Sequence, residues 1–99
     1  MAPRSSRTEV AGLIADLESR DSIRRAAAVA RLRVIGERAV PRLAEFIESQ
    51  APANARALAL GALQDLRAPR TLPIALRALE DPEPDVVIAA LAVLREWVA

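Results

Sequence analysis

The chain has 99 residues, which suits one small domain that buries only about two-thirds of the surface its unfolded chain exposes. It contains no His and no Cys, which excludes disulfides, thiolate metal sites, the commonest general base and the commonest transition-metal ligand. All fourteen basic residues are Arg and the net charge is only +1, a balance that argues against a dedicated nucleic-acid binder and that, with abundant Ala and Pro, fits a GC-rich bacterial genome.

The first seven residues, "MAPRSSR", read as a disordered basic tail. No sustained apolar stretch follows them, so they do not form a secretory signal, and no apolar run reaches the roughly 18 residues of a membrane span. The expectation is a cytoplasmic protein with no membrane association. Ser6 and Glu9 stand at capping-box spacing for a first helix over 8–18. A second helix is predicted over 21–35, stopped by a left-handed Gly36. Pro41, Pro52 and Pro73 fall near the starts of helices over 39–49, 52–66 and 70–80, and Pro82 and Pro84 near the start of one over 84–98, where a missing N–H costs little. Gly12 and Gly61 lie inside helices and predict close helix–helix approach there.

The strongest signal is a repeat of about 31 residues. Val29–Leu32–Ile35, Leu60–Leu63–Leu66 and Leu91–Leu94–Trp97 recur at steps of 31, with Ala28, Ala59 and Ala90 in the same register. Each triplet lies along one helical stripe and is a candidate core. The odd-numbered helices repeat Val10–Leu13–Leu17 as Val40–Leu43–Ile47 and as Leu72–Ala75–Leu79. Glu18, Glu48 and Glu80 keep that register, each followed by a residue able to cap a helix: Ser19, Ser49 and Asp81. Alternating helix types at this period indicate stacked helical hairpins, since a single hairpin cannot bury its apolar face.

"DSIRRAAAVARLRVIGERAVPRLAEFIES" and "EDPEPDVVIAALAVLREW" resemble HEAT-like repeats, especially the short type of phycobilin lyase subunits. The shared features are an acidic-Pro turn, an Arg before an Ala-rich helix, a Gly after it, and "AVPRL" opening the next helix. The resemblance spans about residues 8–98 and implies an all-α, right-handed α-solenoid of about six helices in one domain over 8–99. It also implies that the odd-numbered helices line a concave side, where Arg42, Glu45, Arg70 and Arg77 are placed to meet a partner. Its functional range is wide: scaffolds, adaptors, lyase subunits with a chaperone-like role beside a bilin, and in one branch DNA glycosylases. The family pattern calls for a further helix after Trp97, and for Arg where this chain has Val87 opposite Arg25 and Arg56. The first helix resembles the second half of a hairpin, so the array reads as out of phase.

Catalysis has little to build on, because no nucleophile motif accompanies the scattered carboxylates. The reading is a non-enzyme without metal or cofactor. Asp81, Glu83 and Asp85 are the densest acidic cluster, and their place at a helix N-terminus is explained by the helix dipole better than by a hard cation. Residues 20–42 carry a local net charge of +5. Arg20, Arg24 and Arg31, with Arg25 beside them, form a stripe open to an anionic partner or to nucleic acid, although no aromatic residue is at hand for base stacking. The competing reading is a solvated face with some Arg paired to Glu45 or Glu48 of the next helix.

From Val86 to Leu94 no polar side chain interrupts the last helix. At positions 62 residues earlier stand Arg24, Arg25 and Arg31, where the last helix has Val86, Val87 and Val93. Charged residues there suggest a solvent-facing position, and a terminal repeat normally keeps a polar outer face. A second copy, another protein, a further repeat, or plain exposure of single valines all remain open as accounts. The favoured expectation is a protein–protein interaction scaffold or adaptor that forms a homo-oligomer, a dimer first, through Val86, Val87, Ile88, Val93, Trp97 and Val98. An anion- or nucleic-acid-binding module is the alternative.

Overall fold

The computed structural model describes residues 6–64 and 66–98, without the Ser6 side chain. Among the described residues the chain is all-helical: α1 (Ser6–Asp16), α2 (Ser22–Ile35), a 3-10 turn (Gly36–Ala39), α3 (Val40–Ile47), α4 (Ala53–Leu63), α5 (Thr71–Ala78) and α6 (Pro84–Arg95). Six predicted helices correspond to these six, with ends displaced by up to three residues. Several predicted C-terminal ends overshoot because the last turn tightens. Leu17 N–H donates to Ile14 O (3.0 Å), Leu66 N–H to Leu63 O (3.1 Å) and Trp97 N–H to Leu94 O (2.9 Å), three-residue closures that satisfy terminal carbonyls outside the α-helix proper. Of the expected tail 1–7, residues 1–5 lie outside the described residues, while Ser6 and Arg7 already belong to α1.

Each boundary has a local cause. Asp21 caps α2 by accepting the Ile23 N–H at 2.9 Å. Gly36 ends α2 at φ 75° and returns its N–H to Leu32 O. Thirty-one residues on, Arg67 takes the same left-handed role at φ 56°, a conformation that costs a side-chain-bearing residue about 1–2 kcal/mol. Ser19, Ser49 and Asp81 share a role at their common register. Each accepts the backbone N–H two residues later, from Asp21 (3.1 Å), Ala51 (3.2 Å) and Glu83 (2.9 Å), so they close turns rather than cap helices directly. Pro41 and Pro84 sit in the first turns of α3 and α6, and Pro52 holds the N-cap position of α4.

The even-numbered helices pack in chain order, α2 on α4 on α6. The odd-numbered ones do the same, and α1–α2, α3–α4 and α5–α6 pack together as chain neighbours joined by short turns. The molecule extends over 44 × 29 × 21 Å. One apolar core runs through it, formed by Val10 and Leu17, Ala28, Leu32 and Ile35, Val40, Leu43 and Ile47, Ala59, Leu60 and Leu63, and Val86, Ala90 and Val93. Each large side chain so buried contributes about 1.5–3 kcal/mol. The register residues Ala28, Ala59 and Ala90 are all buried.

Three expectations fail. In α5 the buried residues are Thr71, Ile74, Ala75 and Ala78, while Leu72 and Leu79 are only half-buried. The core face is rotated because Thr71 satisfies its own hydroxyl by donating to Ala68 O at 2.8 Å and so can be buried. In α6, Leu91 of the expected core triplet is exposed and Leu94 and Trp97 are half-buried. Gly12 and Gly61 do not mark close approaches, since a Cβ at either would have no heavy atom within 4 Å beyond its own surroundings.

Opposite signs are therefore expected for two glycine substitutions. Gly12→Ala should raise the unfolding free energy by up to about 1 kcal/mol, since a helical glycine costs that much and the space is open. Gly36→Ala should lower it by about 1–3 kcal/mol, because φ 75° with ψ −135° is a glycine conformation. Urea unfolding of the two variants checks both.

Candidate functional site

The outer side of α6 exposes large apolar side chains at register positions that are more buried in α4. Val86, Ala90 and Val93 are fully buried, in a helix that packs on α4 and α5. Val86 and Val93, expected at an oligomer interface, are thus core residues. The register explains why. Their counterparts one repeat earlier are Ala55 and Ala62, also buried in α4, and two repeats earlier Arg24 and Arg31, exposed on α2. This position faces the preceding even-numbered helix. Among the described residues no helix precedes α2 in that row, and there the position is charged.

The uncovered side lies at different positions. Ile88 is 64% exposed, Leu91 48% and Val98 77%. Leu91 corresponds to Leu60, fully buried in α4, and Ile88 to Ala57, which is half-buried. The surface that α4 turns toward its successor is therefore the surface that α6 leaves open. Of the six expected interface residues, Ile88 and Val98 are exposed, Val86 and Val93 are buried, and Val87 and Trp97 are half-buried; Leu91, outside that set, is exposed as well. The buried Ala55 and Ala62 of the middle helix were the signal that would have revealed this, because they show a packed face rather than a solvent-facing one.

The arginine stripe is divided among partners. Arg31 Nε donates to Glu9 at 2.9 Å, and Arg24 lies 4.0 Å from Asp16, so both pair back to α1 rather than forward to Glu45 or Glu48. Arg25 is half-buried and donates to Ser19 O at 2.7 Å, a turn-bracing contact. Arg20 precedes α2 and is exposed. Arg33 forks onto Gly61 O at 3.0 and 3.2 Å, tying α2 to α4.

Arg56, one repeat after Arg25, is buried. Its guanidinium donates to Ala51 O (2.9 Å), to Ile47 O (3.3 Å) and to the Asp81 carboxylate in a forked pair. The hydrogen bonds from Arg56, set against partial burial, hold the Asp81 carboxyl below its ordinary pKa. Asp81 is thus spoken for by a side chain of the previous repeat, which displaces the helix-dipole account of that acid; Asp85 alone of the cluster occupies the first turn of α6. Among the described residues no group of three or more His, Cys, Asp or Glu is arranged to hold a metal ion.

The four expected concave-side residues are separated. Arg42 and Glu45 line a groove with Arg7, Val10, Arg38 and Pro41 between α1 and α3. Arg77 pairs with Glu48 at 2.6 Å, and Arg70 is exposed at the N-cap of α5. No helix among the described residues is long and apolar enough to cross a membrane. No protein-family model matches the chain, and no curated protein matches it either.

The Arg56–Asp81 pair has a pH signature. Because the folded pKa of Asp81 is depressed, its stabilisation is present above the unfolded value of about 3.9 and is lost as pH falls through the lower folded value. Asp81→Asn should cost about 2–3 kcal/mol at pH 7, since it leaves a buried guanidinium short of its counter-ion. Urea unfolding of wild type and variant should converge in strong acid; a difference that does not change with pH would contradict this assignment.

Proposed function

We propose that the protein is a non-catalytic interaction scaffold, a right-handed solenoid of HEAT-like helical hairpins that dimerises through the outer side of α6. The observation that carries this reading is the open register face of α6: Ile88 and Leu91 stand exposed where the equivalent Ala57 and Leu60 of α4 are half-buried and fully buried. With Val98 exposed just beyond the helix, they form an apolar patch of the kind that marks a protein interface.

A second copy is the favoured occupant, joined by two-fold symmetry. Head-to-tail stacking would lay Ile88 and Leu91 on the opposite end of the row, where α2 presents Arg24 and Arg31 with their partners Asp16 and Glu9. Burying those charges beneath apolar side chains costs several kcal/mol. Two α6 faces meeting each other bury apolar surface on both sides and close the assembly at two.

Multi-angle light scattering on a sizing column is expected to give the mass of a dimer at high micromolar concentration, and Ile88→Arg or Leu91→Arg that of a monomer. Both positions are exposed, so circular dichroism should show the helices intact, with stability of the isolated chain changed by no more than about 0.5 kcal/mol. A wild type that stays monomeric at that concentration refutes the dimer.

A further inference from the structure

A second exposed apolar line runs along α2, distant in sequence from α6. Ile23 is 78% exposed and Val34 74%, and the exposed Ala27 and Ala30 lie between them. The spacing i, i+4, i+7, i+11 places all four within about 60° of the helical wheel and along about 16 Å of axis, three turns of helix. They lie well away from the buried Ala28, Leu32 and Ile35.

The repeat register marks this line as unusual. The positions equivalent to Ile23 are Asn54 and Asp85, and those equivalent to Val34 are, in sequence, Asp65 and Glu96. In sequence, both register positions are thus polar in the second and third repeats and apolar in the first. Arginines flank it. Arg24 and Arg31 lie about 70–90° to one side of the wheel and Arg33 about 90° to the other, and α2 contains four Arg and no acidic residue.

We propose that this face docks an acidic amphipathic helix of another protein, its apolar residues on Ile23 and Val34 and its carboxylates on the guanidiniums of Arg24 and Arg31. Charge complementarity selects the occupant: an apolar line bordered by the exposed Arg24 and Arg31, with Arg33 on the other flank held on the Gly61 carbonyl, matches a helix with an apolar seam bordered by Asp or Glu. The side chains of Arg24 and Arg31 remain about half to two-thirds exposed in their pairs with Asp16 and Glu9, and exposed pairs of that kind exchange for a new carboxylate at little cost. A membrane surface fits less well. Helices that lie in the lipid interface present a broad face of bulky residues, whereas this line is narrow and has two large side chains.

The test uses fluorescence anisotropy with a labelled synthetic peptide, helical, with Leu at i, i+4, i+7 and i+11 and Glu on both flanks. A control peptide has the same composition with the leucines scattered around the wheel. Saturable binding of the first, weakened at least about tenfold by scattering the leucines and by the double variant Ile23→Ser, Val34→Ser, is expected. Ile88→Arg should leave it unchanged, which separates this surface from the dimer interface. Equal binding of both peptides, or binding indifferent to Ile23 and Val34, overturns the proposal in favour of charge alone. So does the absence of peptide binding, or preferential binding through the same residues to phosphatidylserine-containing vesicles or duplex DNA.

Discussion

Cover on two sides of an even-numbered helix is what this packing turns on, and among the described residues α4 alone has it, from α2 and α6. One side of α4 is lined by Ala55, Ala59 and Ala62, the other by Leu60 and Leu63, and all five are buried. A helix buried this broadly depends on tight contact with neighbours, because a void left by a poor fit forfeits both transfer and dispersion energy. α2 and α6 are the flanking helices, and each has one side without a neighbour among the described residues. They meet that condition differently. α2 places ion-paired arginines on its open side, while α6 places Ile88 and Leu91 there.

Polar contacts add specific ties between the helices to the apolar packing. Arg56 reaches from α4 to the turn before it and to Asp81 in the turn after α5, and Arg33 reaches from α2 to the Gly61 carbonyl. Arg25 braces only the turn before its own helix, and Val87 at the same register has no cation to offer. The bracing is therefore fullest in the middle of the array. A buried guanidinium satisfied by two carbonyls and a carboxylate contributes more to specifying one packing arrangement than to net stability.

The helices were legible because punctuation and period agree: prolines near the starts, Gly36 at a stop, and the alanine register at 28, 59 and 90. The side of each helix was harder to read. Comparing α6 directly with α2 paired an inner position with a solvent-facing one and assigned Val86 and Val93 to the surface; Ala55 and Ala62 in the middle helix point to the packed face. The burial of Arg56 was not read, although a lone cation beside Ala55, Ala59 and Leu60 requires a partner. Thr71 in the core and Arg67 in a left-handed turn follow from local hydrogen bonding and backbone geometry, which residue type alone does not convey.

The proposed dimer covers the open side of α6 with a second copy. Because the chain has no Cys, a single Arg95→Cys carries one nitroxide label one turn beyond Leu91 on the same side of α6 as Ile88 and Leu91, and light scattering checks that the labelled chain keeps its dimer mass. Pulsed electron–electron double resonance should then give one narrow, short interlabel distance, as a two-fold α6–α6 contact requires. An unmodulated signal at the concentration used, or a broad distribution of long distances, would contradict it.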